Sequence, residues 1–197
     1  AVVKELVETE EDFARDMQYV VNNYLKEMDN PKMPLELRDY KDTVFSNFKD
    51  VCEFHNNVLI KGVQYYASEP QKLGITFLRL ERDFDKHVKY CRDEPQAQAA
   101  LSSGSLKNYF DDFSRKIGDD KTLAEHLKLP IQRINDYVLL IKELIKYTNR
   151  LREDTTDLQR ALDFMMCVPQ RATDLTYINA LEGYCGNVHK LGRLIKH

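Results

Sequence analysis

The chain has 197 residues, and its 29 lysines and arginines nearly balance its 32 aspartates and glutamates, leaving a formal charge of -3. This balance excludes the basic footprint of a nucleic-acid-binding protein. Hydrophobic residues make up 43% of the chain and apolar runs are only a few residues long, so we expect a globular core without a membrane span or signal peptide. The four cysteines are far apart and lack zinc-ligand spacing, which favours buried, reduced thiols and a cytoplasmic location.

Helices are predicted along the whole chain, because six prolines and seven glycines separate long stretches that lack the alternating pattern of strands. We therefore expect an all-α fold, an elongated single-domain helical bundle covering residues 1–197. The expected helices cover residues 3–28, 35–66 in one or two pieces, 75–93 in shorter pieces, 96–117, a segment that starts at Pro130, and 157–197 with a bend at Pro169. Loops are expected at residues 30–34 and 118–120, and residues 154–156 supply N-cap types.

Glu10 interrupts the apolar face of the first predicted helix. It lies four residues after Leu6 and three before Phe13, where the helical period calls for another apolar side chain. One interpretation is a carboxylate that reaches solvent from the edge of the face or pairs locally. The other is an ionised acceptor that is held ready for the N–H groups or hydroxyls of a partner.

The segment 130–144 is too apolar for an ordinary surface helix. Two apolar stripes recur at gaps of three and four residues, the first through Leu123, Leu127, Ile131, Ile134, Val138, Ile141 and Ile145, the second through Tyr137, Leu140, Leu144 and Tyr147. Such a helix is covered on most sides. Its few polar residues, Gln132, Arg133, Asn135 and Asp136, therefore need internal partners or a role at an interface.

Covalent chemistry finds no support in the sequence. There is no G-x-x-x-x-G-K-[ST] phosphate loop, no nucleophile elbow, and no pairing of serine or cysteine with histidine. The acidic pairs Asp111-Asp112 and Asp119-Asp120 are interpreted as solvated helix ends and loops rather than as a cation site. We therefore expect no catalytic residue, cofactor or metal ligand, and a function that depends on surfaces.

Several motifs resemble those of Dbl homology domains, and the similarity covers essentially the whole chain. Residues 5–10 (ELVETE), followed by Phe13 and Asp16-Met17, resemble the first conserved region of that family, and the segment 130–144 resembles its third. Residues 53–57 (EFHNN), Tyr90-Cys91 with Pro95, and residues 168–174 leading into 181–184 are similar to the Trio and kalirin branch, to which domains of obscurin-type muscle proteins also belong.

The resemblance implies a guanine-nucleotide exchange factor, which promotes GDP release from a Rho-family small GTPase by remodelling its switch regions and prefers the nucleotide-free form. It implies that Glu10 contacts switch I and that Gln132 and Leu140 lie on the switch II side. Thr173 and Asp174 would complete the contact from the last helix. Arg133 would be either a clamp within the domain or a direct contact.

Three further positions depart from the family pattern. Leu129 and Asp136 stand at GTPase-facing positions that are often lysine, and Thr173 stands where the branch has asparagine. These departures motivate a second hypothesis, an exchange-inactive helical module that binds a GTPase or another protein; a helical scaffold unrelated to GTPases is a third. The pleckstrin homology domain that usually follows is absent from the chain, so we expect membrane contact only through a neighbouring domain, and cytoskeletal or sarcomeric association through an obscurin-like parent.

Overall fold

The computed structural model describes the backbone of residues 1–185 and the side chains of residues 1–175. Within this part of the chain all regular elements are helical, which confirms the all-α prediction. The helices are α1 (Val2–Val20), α2 (Leu35–Arg38), α3 (Lys41–Phe45), α4 (Phe48–Phe54), α5 (Ile60–Tyr65), α6 (Leu73–Arg79), α7 (Asp85–Ala100), α8 (Gly104–Ile117), α9 (Leu123–Arg150) and α10 (Thr156–Cys185). None of them is long and apolar enough to cross a membrane. The predicted extension of the last helix over residues 186–197 lies outside the described residues.

Two π-helical segments modify the expected helices. Val21–Leu25 continues α1, so the first helix covers most of its predicted length, and His55–Leu59 joins α4 to α5. A π-turn holds an extra residue, which changes the direction in which the following side chains point. Tyr24 lies in the first segment and His55 opens the second, and both side chains are fully buried. The predicted one or two helices over 35–66 are instead α2, α3 and the continuous run from α4 to α5.

The helix predicted over residues 96–117 ends at Ile117 as expected, but it is divided between two helices. α7 passes through Pro95 and ends at Ala100. α8 begins at Gly104, whose φ of 85° is incompatible with one continuous helix. Tyr90 and Ala97 lie seven residues apart, so they share one face of α7, and both are buried. Burial on both sides of the proline thus favours a continuous helix despite the N–H that Pro95 lacks.

The helix that contains residues 130–144 begins earlier than the predicted start at Pro130. Thr122 and Glu125 form a capping box, with Glu125 N to Thr122 Oγ1 at 3.3 Å and Thr122 N to Glu125 Oε2 at 3.2 Å, and α9 begins at Leu123. A capping box satisfies two free N–H groups, which gives this start an advantage over a proline about two turns later. The predicted stripes are otherwise buried or half-buried, except that Tyr147 is 48% exposed.

Two apolar clusters form the core. One joins the C-terminal half of α1 to α3, α4, α8 and the start of α9, and the other joins the N-terminus of α1 to α5, α6, α10 and the middle of α9. Helix α6 approaches the start of α10 so closely that a Cβ on Gly74 would lie 2.6 Å from the backbone of Asp157. Asp154 accepts from the N–H of Thr156 at 3.0 Å, in keeping with the expected N-cap residues.

Candidate functional site

Glu10 lies at the junction of the two apolar clusters, and the expectation that it sits at the edge of an apolar face was wrong. It is 0% exposed, because the segment His55–Leu59 and α9 pack against this part of α1. Its Oε1 lies 2.6 Å from His55 Nδ1, while its Oε2 accepts from Arg133 Nε at 3.0 Å, Arg133 Nη2 at 2.8 Å and the hydroxyl of Tyr137. Both carboxylate oxygens are therefore occupied within the domain.

Arg133 forms the internal clamp that was one of its two sequence-based interpretations. Its guanidinium also donates from Nη1 to Thr9 Oγ1 at 3.0 Å and stacks on Tyr137 at 4.5 Å from the ring centre. The residue is 3% exposed. These contacts fix the first half of α1 against α9, and in this conformation they leave the guanidinium little surface to offer a partner.

The electrostatics of this cluster keep Glu10 ionised. Burial alone would raise the pKa of its carboxyl, but His55, Arg133 and Tyr137 outweigh burial and lower the pKa to about 2. Burial and the neighbouring carboxylate raise the pKa of Tyr137 well above its usual value, so its hydroxyl stays protonated and donates. An ionised carboxylate only accepts, so His55 Nδ1 must carry the proton that lies between them.

His87 extends the cluster to α7. Its Nε2 lies 2.6 Å from His55 Nε2, and its ring is fully buried. Burial and the adjacent His55 lower the pKa of His87 well below the ordinary histidine value, although Glu10 acts in the opposite direction. The Nδ1 of His87 lacks a hydrogen-bond partner among the described residues. We call Glu10, His55, His87, Arg133 and Tyr137 the Glu10 cluster.

Above the Glu10 cluster, α1 and α9 border a shallow cleft, called here the α1–α9 cleft. Its lining residues are Glu5, Thr9, Arg133, Asp136, Leu139, Leu140 and Glu143. Two of the predicted contact residues, Asp136 and Leu140, are therefore brought together, with Asp136 exposed and Leu140 only 8% exposed. Gln132 is exposed one turn before Asp136 on the same side of α9.

Four cleft residues were missed by the sequence analysis: Glu5, Thr9, Leu139 and Glu143. Glu5 is exposed in the first turn of α1, five residues before the buried Glu10. Leu139 is 62% exposed, although the apolar stripes pointed to its neighbour Leu140. Glu5 belongs to the same motif as Glu10, and this was the signal that could have found it. Residues five apart on a helix point in different directions, so Glu5 can be exposed although Glu10 is buried.

The remaining predicted contact residues do not line the cleft. Leu129 is half-buried and packs against the first apolar cluster. Thr173 and Asp174 are exposed on α10, just after the buried Ala172. Within that helix, the Thr173 hydroxyl donates to Pro169 O at 3.1 Å and Asp174 Oδ1 accepts from Gln170 Nε2 at 3.1 Å.

A second buried polar cluster, the Tyr24 cluster, lies where α8 meets α9. The Tyr24 hydroxyl lies 2.7 Å from both Ser114 Oγ and Asp119 Oδ2, and His126 Nε2 lies 2.6 Å from the same Asp119 oxygen. The side chain of Asp119 is 6% exposed. The interpretation of Asp119 as a solvated loop residue was therefore wrong, because Tyr24 and His126 cover it.

Reactive groups are not concentrated anywhere in the described residues. No three His, Cys, Asp or Glu side chains among them are placed to hold a metal ion. Burial raises the pKa of the Cys52 thiol to about 11 and that of the Cys91 thiol to about 11, so both stay protonated and poorly nucleophilic near neutral pH. Cys167 is exposed, contrary to the expectation of buried thiols.

The chain is similar in sequence to known proteins over nearly its whole length. The RhoGEF domain model matches residues 2–172. The muscle M-line assembly protein unc-89 of Caenorhabditis elegans is 32% identical over 197 residues, covering 100% of this chain and 2% of that protein. The human proto-oncogene DBL is 35% identical over 198 residues, covering 98% of this chain and 21% of that protein. The chain thus spans about a fifth or less of these two relatives.

A solved structure shows the same fold. The Vav1 exchange factor superposes with a TM-score of 0.76 at 22% identity, over 94% of this chain and 51% of that one.

Proposed function

Since this chain belongs to the RhoGEF domain family, we propose that it is a guanine-nucleotide exchange factor for a Rho-family small GTPase. The observation that carries the proposal is the family match over residues 2–172, which includes the whole α1–α9 cleft. Relatives of comparable coverage include the guanine nucleotide exchange factor DBS and Rho guanine nucleotide exchange factor 25, both human. The chain performs no covalent step in this proposal, because the nucleotide and its metal ion are bound by the GTPase.

The cleft supplies the surface on which the GTPase docks. Glu5, Gln132 and Asp136 offer exposed acceptors and an amide, and Leu139 offers apolar area. In this proposal Thr173 and Asp174 on α10 and Leu129 near the start of α9 also contact the GTPase, outside the cleft. Glu10 is buried in the free domain, so it acts by holding α1 in place, and a direct contact with switch I would require the Glu10 cluster to open.

Exchange follows from differential binding. A surface that holds the nucleotide-free GTPase more tightly than the GDP-bound form lowers the barrier to GDP release. Each ~1.4 kcal/mol of preference corresponds to about tenfold in rate or equilibrium constant. A small number of contacts made only with the opened switch regions is therefore sufficient, and the nucleotide-free form is the preferred partner.

A direct test is GDP release from a panel of Rho-family GTPases loaded with a fluorescent nucleotide. At micromolar concentrations of this domain we expect accelerated release from at least one member. Gln132→Ala should slow that release, whereas Gln96→Ala, a matched change at an exposed residue of α7 away from the cleft, should not. If the domain accelerates release from no member, the proposal is wrong.

The second candidate is a module that binds a GTPase without releasing its nucleotide. Leu129 is half-buried and uncharged, and the Thr173 hydroxyl is engaged with its own helix, so neither position presents the polar group that exchange factors of this branch are expected to have. Capture of a nucleotide-free GTPase together with an unchanged release rate would favour this candidate. Failure of both assays would point to a protein-interaction role unrelated to GTPases.

A sarcomeric location is proposed on the single ground that one relative is named as a muscle M-line assembly protein. In this proposal the domain acts in the cytoplasm, and other parts of the parent protein localise it to the cytoskeleton. Immunostaining of the endogenous protein in striated muscle should show a striated pattern. A diffuse signal would contradict the proposal.

A further inference from the structure

The two oxygens of the Glu10 carboxylate have separate partners. Oε2 is held from α9 by Arg133 and Tyr137, whereas Oε1 is held by His55 Nδ1, which comes from the π-helical segment between α4 and α5. One carboxylate thus joins three elements. Without the histidine donor, Oε1 would be an ionised oxygen buried without a hydrogen bond, and the carboxylate would gain by rotating out of the clamp.

His87 contacts the ring nitrogen of His55 that faces away from Glu10. The two Nε2 atoms are 2.6 Å apart, so one proton lies between them. His55 donates from Nδ1 to Glu10, and its Nε2 is joined to His87 Nε2 through the second proton. A contact at Nε2 fixes the orientation of the His55 ring, so His87 keeps Nδ1 directed at Glu10.

The contacts continue from Glu10 to the surface. Arg133 Nη1 donates to Thr9 Oγ1 at 3.0 Å, and the Thr9 hydroxyl donates to the carbonyl oxygen of Glu5 at 2.7 Å. Arg133 Nη2 also approaches Leu6 O at 3.4 Å. A connected series of hydrogen bonds therefore runs from His55 through Glu10 and Arg133 to the turn of α1 that presents Glu5 in the cleft.

We propose that His55 is a positioning residue for nucleotide exchange: its Nδ1–H holds the Glu10 carboxylate in the Arg133 clamp, which fixes the first turns of α1 against α9. The proposal rests on the exchange function proposed above. His55 does not contact the GTPase in this arrangement, because it is fully buried beneath the cleft. Its effect reaches the partner through the placement of Glu5 and Thr9.

Two substitutions separate the two nitrogens of His55. In His55→Asn, the side-chain amide lies near the place of Nδ1 and can still donate to Glu10, but the contact with His87 is lost. In His55→Gln, the amide reaches the place of Nε2 and can pair with His87, but no donor remains at Nδ1. The positioning role predicts that the asparagine variant keeps the maximal release rate within about threefold, whereas the glutamine variant loses about tenfold or more.

The matched control is Tyr24→Phe, which removes a hydroxyl from the Tyr24 cluster at the other end of α1. It should lower thermal stability yet leave the maximal rate unchanged. The release rate is measured against GTPase concentration at a temperature where circular dichroism shows every variant folded, so that the maximal rate and the half-saturating concentration are separated. If both His55 variants and Tyr24→Phe lose rate in proportion to their stability, His55 is merely structural and the proposal is overturned.

Amide hydrogen exchange of residues 2–12 distinguishes this proposal from the exchange function itself, because it requires no GTPase. His55→Gln should exchange faster than wild type in the first turns of α1, and His55→Asn should resemble wild type; unchanged protection in His55→Gln overturns the proposal. If the wild-type domain accelerates nucleotide release from no GTPase, the exchange function is refuted, and so is a role of His55 in exchange. Hydrogen exchange would still show whether His55 holds α1 in place.

Should His55→Gln not fold, Thr9→Val and Thr9→Ser break and restore the last link of the same path on a half-buried residue. The valine variant should lose protection in residues 2–8 and slow release, and the serine variant should recover both. Equal behaviour of the two Thr9 variants would contradict the path from Arg133 to Glu5.

Discussion

The Glu10 cluster and the Tyr24 cluster are alike in construction and differ in charge and burial. Each takes a side chain from a π-helical segment, His55 in one and Tyr24 in the other, and each joins it to a carboxylate and to α9. Glu10 is 0% exposed and meets the permanent cation Arg133. Asp119 keeps 6% of its side chain exposed, and the only basic side chain bonded to it in the described structure is His126.

This difference indicates separate tasks. A carboxylate and a guanidinium that are both removed from water gain little net stability relative to apolar residues, but removing one partner is costly. Such a pair therefore specifies a single arrangement of α1 and α9, directly under the proposed exchange surface. The Tyr24 cluster ties the loop after α8 to α1 through hydrogen bonds from Tyr24 and His126 to Asp119, without a buried arginine among the described side chains.

Breaking the Glu10 cluster at its cation should have the largest effect on stability. Arg133→Leu leaves an ionised carboxylate buried without its main partner, so we expect the free energy of unfolding to fall by about 3–5 kcal/mol. Arg115→Leu is the control, because Arg115 pairs with Asp112 on the surface of α8 and should cost no more than about 1 kcal/mol. Urea titration of both variants measures the difference. Equal losses would mean that burial of the Glu10 pair has no special cost.

Acidification should act on the Glu10 cluster through His87. Its pKa is lowered in the folded state, so below the ordinary histidine pKa of about 6.5 the unfolded chain binds a proton that the folded chain does not. Stability is therefore complete above that pH and falls below it, by at most about 1.4 kcal/mol per pH unit for one proton. His87→Gln should be less stable at pH 7.5 but lose less between pH 7.5 and 5.5. An identical pH dependence in the two proteins would contradict this account.

The Tyr24 cluster should be less sensitive to the loss of one group. Tyr24→Phe removes one hydroxyl and leaves Asp119 paired with His126, so we expect a loss of about 1–2 kcal/mol. Thermal denaturation provides the measurement. A loss as large as that of Arg133→Leu would show that the two clusters do not differ as their charges suggest.

A change on the surface above the Glu10 cluster should barely affect stability. Asp136→Lys alters an exposed side chain, so unfolding should shift by less than about 0.5 kcal/mol, while nucleotide release should change and depend on salt. Asp163→Lys, at an exposed position of α10 outside the cleft, is the control and should change neither. Release rates at low and high ionic strength test the prediction, since salt screens exposed charges. A salt-independent result for Asp136→Lys would place that residue outside the interface.

Periodicity predicted the parts of the fold that apolar side chains determine. The stripe of α9 through Leu127, Ile134 and Ile141 is buried as expected, and α1 follows its apolar face. The π-helical segments were not predictable, because no residue type indicates where a helix takes up an extra residue. In the segment His55–Leu59 this determines that His55 points into the core. The placement of Glu10 also escaped prediction, since its partners lie 45 and 123 residues away along the chain.

The site was predictable only in part for the same reason. Asp136 and Gln132 could be found because they are polar residues on an apolar helix. Leu139 could not, because it is exposed beside the buried Leu140 and the sequence does not show where on α9 the covered side ends. The start of α9 could have been predicted, because the capping box of Thr122 and Glu125 is a local sequence pattern. It was missed because Pro130 was taken as the helix start.

In the proposed function, the GTPase docks above the Glu10 cluster and not at the Tyr24 cluster. Amide hydrogen exchange of the domain, alone and with a nucleotide-free Rho-family GTPase, tests it most directly. We predict added protection in the first turns of α1, in α9 around residues 132–143 and in α10 near Thr173, with no change around Ser114 and Asp119. Protection centred on the Tyr24 cluster, or none at either end, would contradict the account.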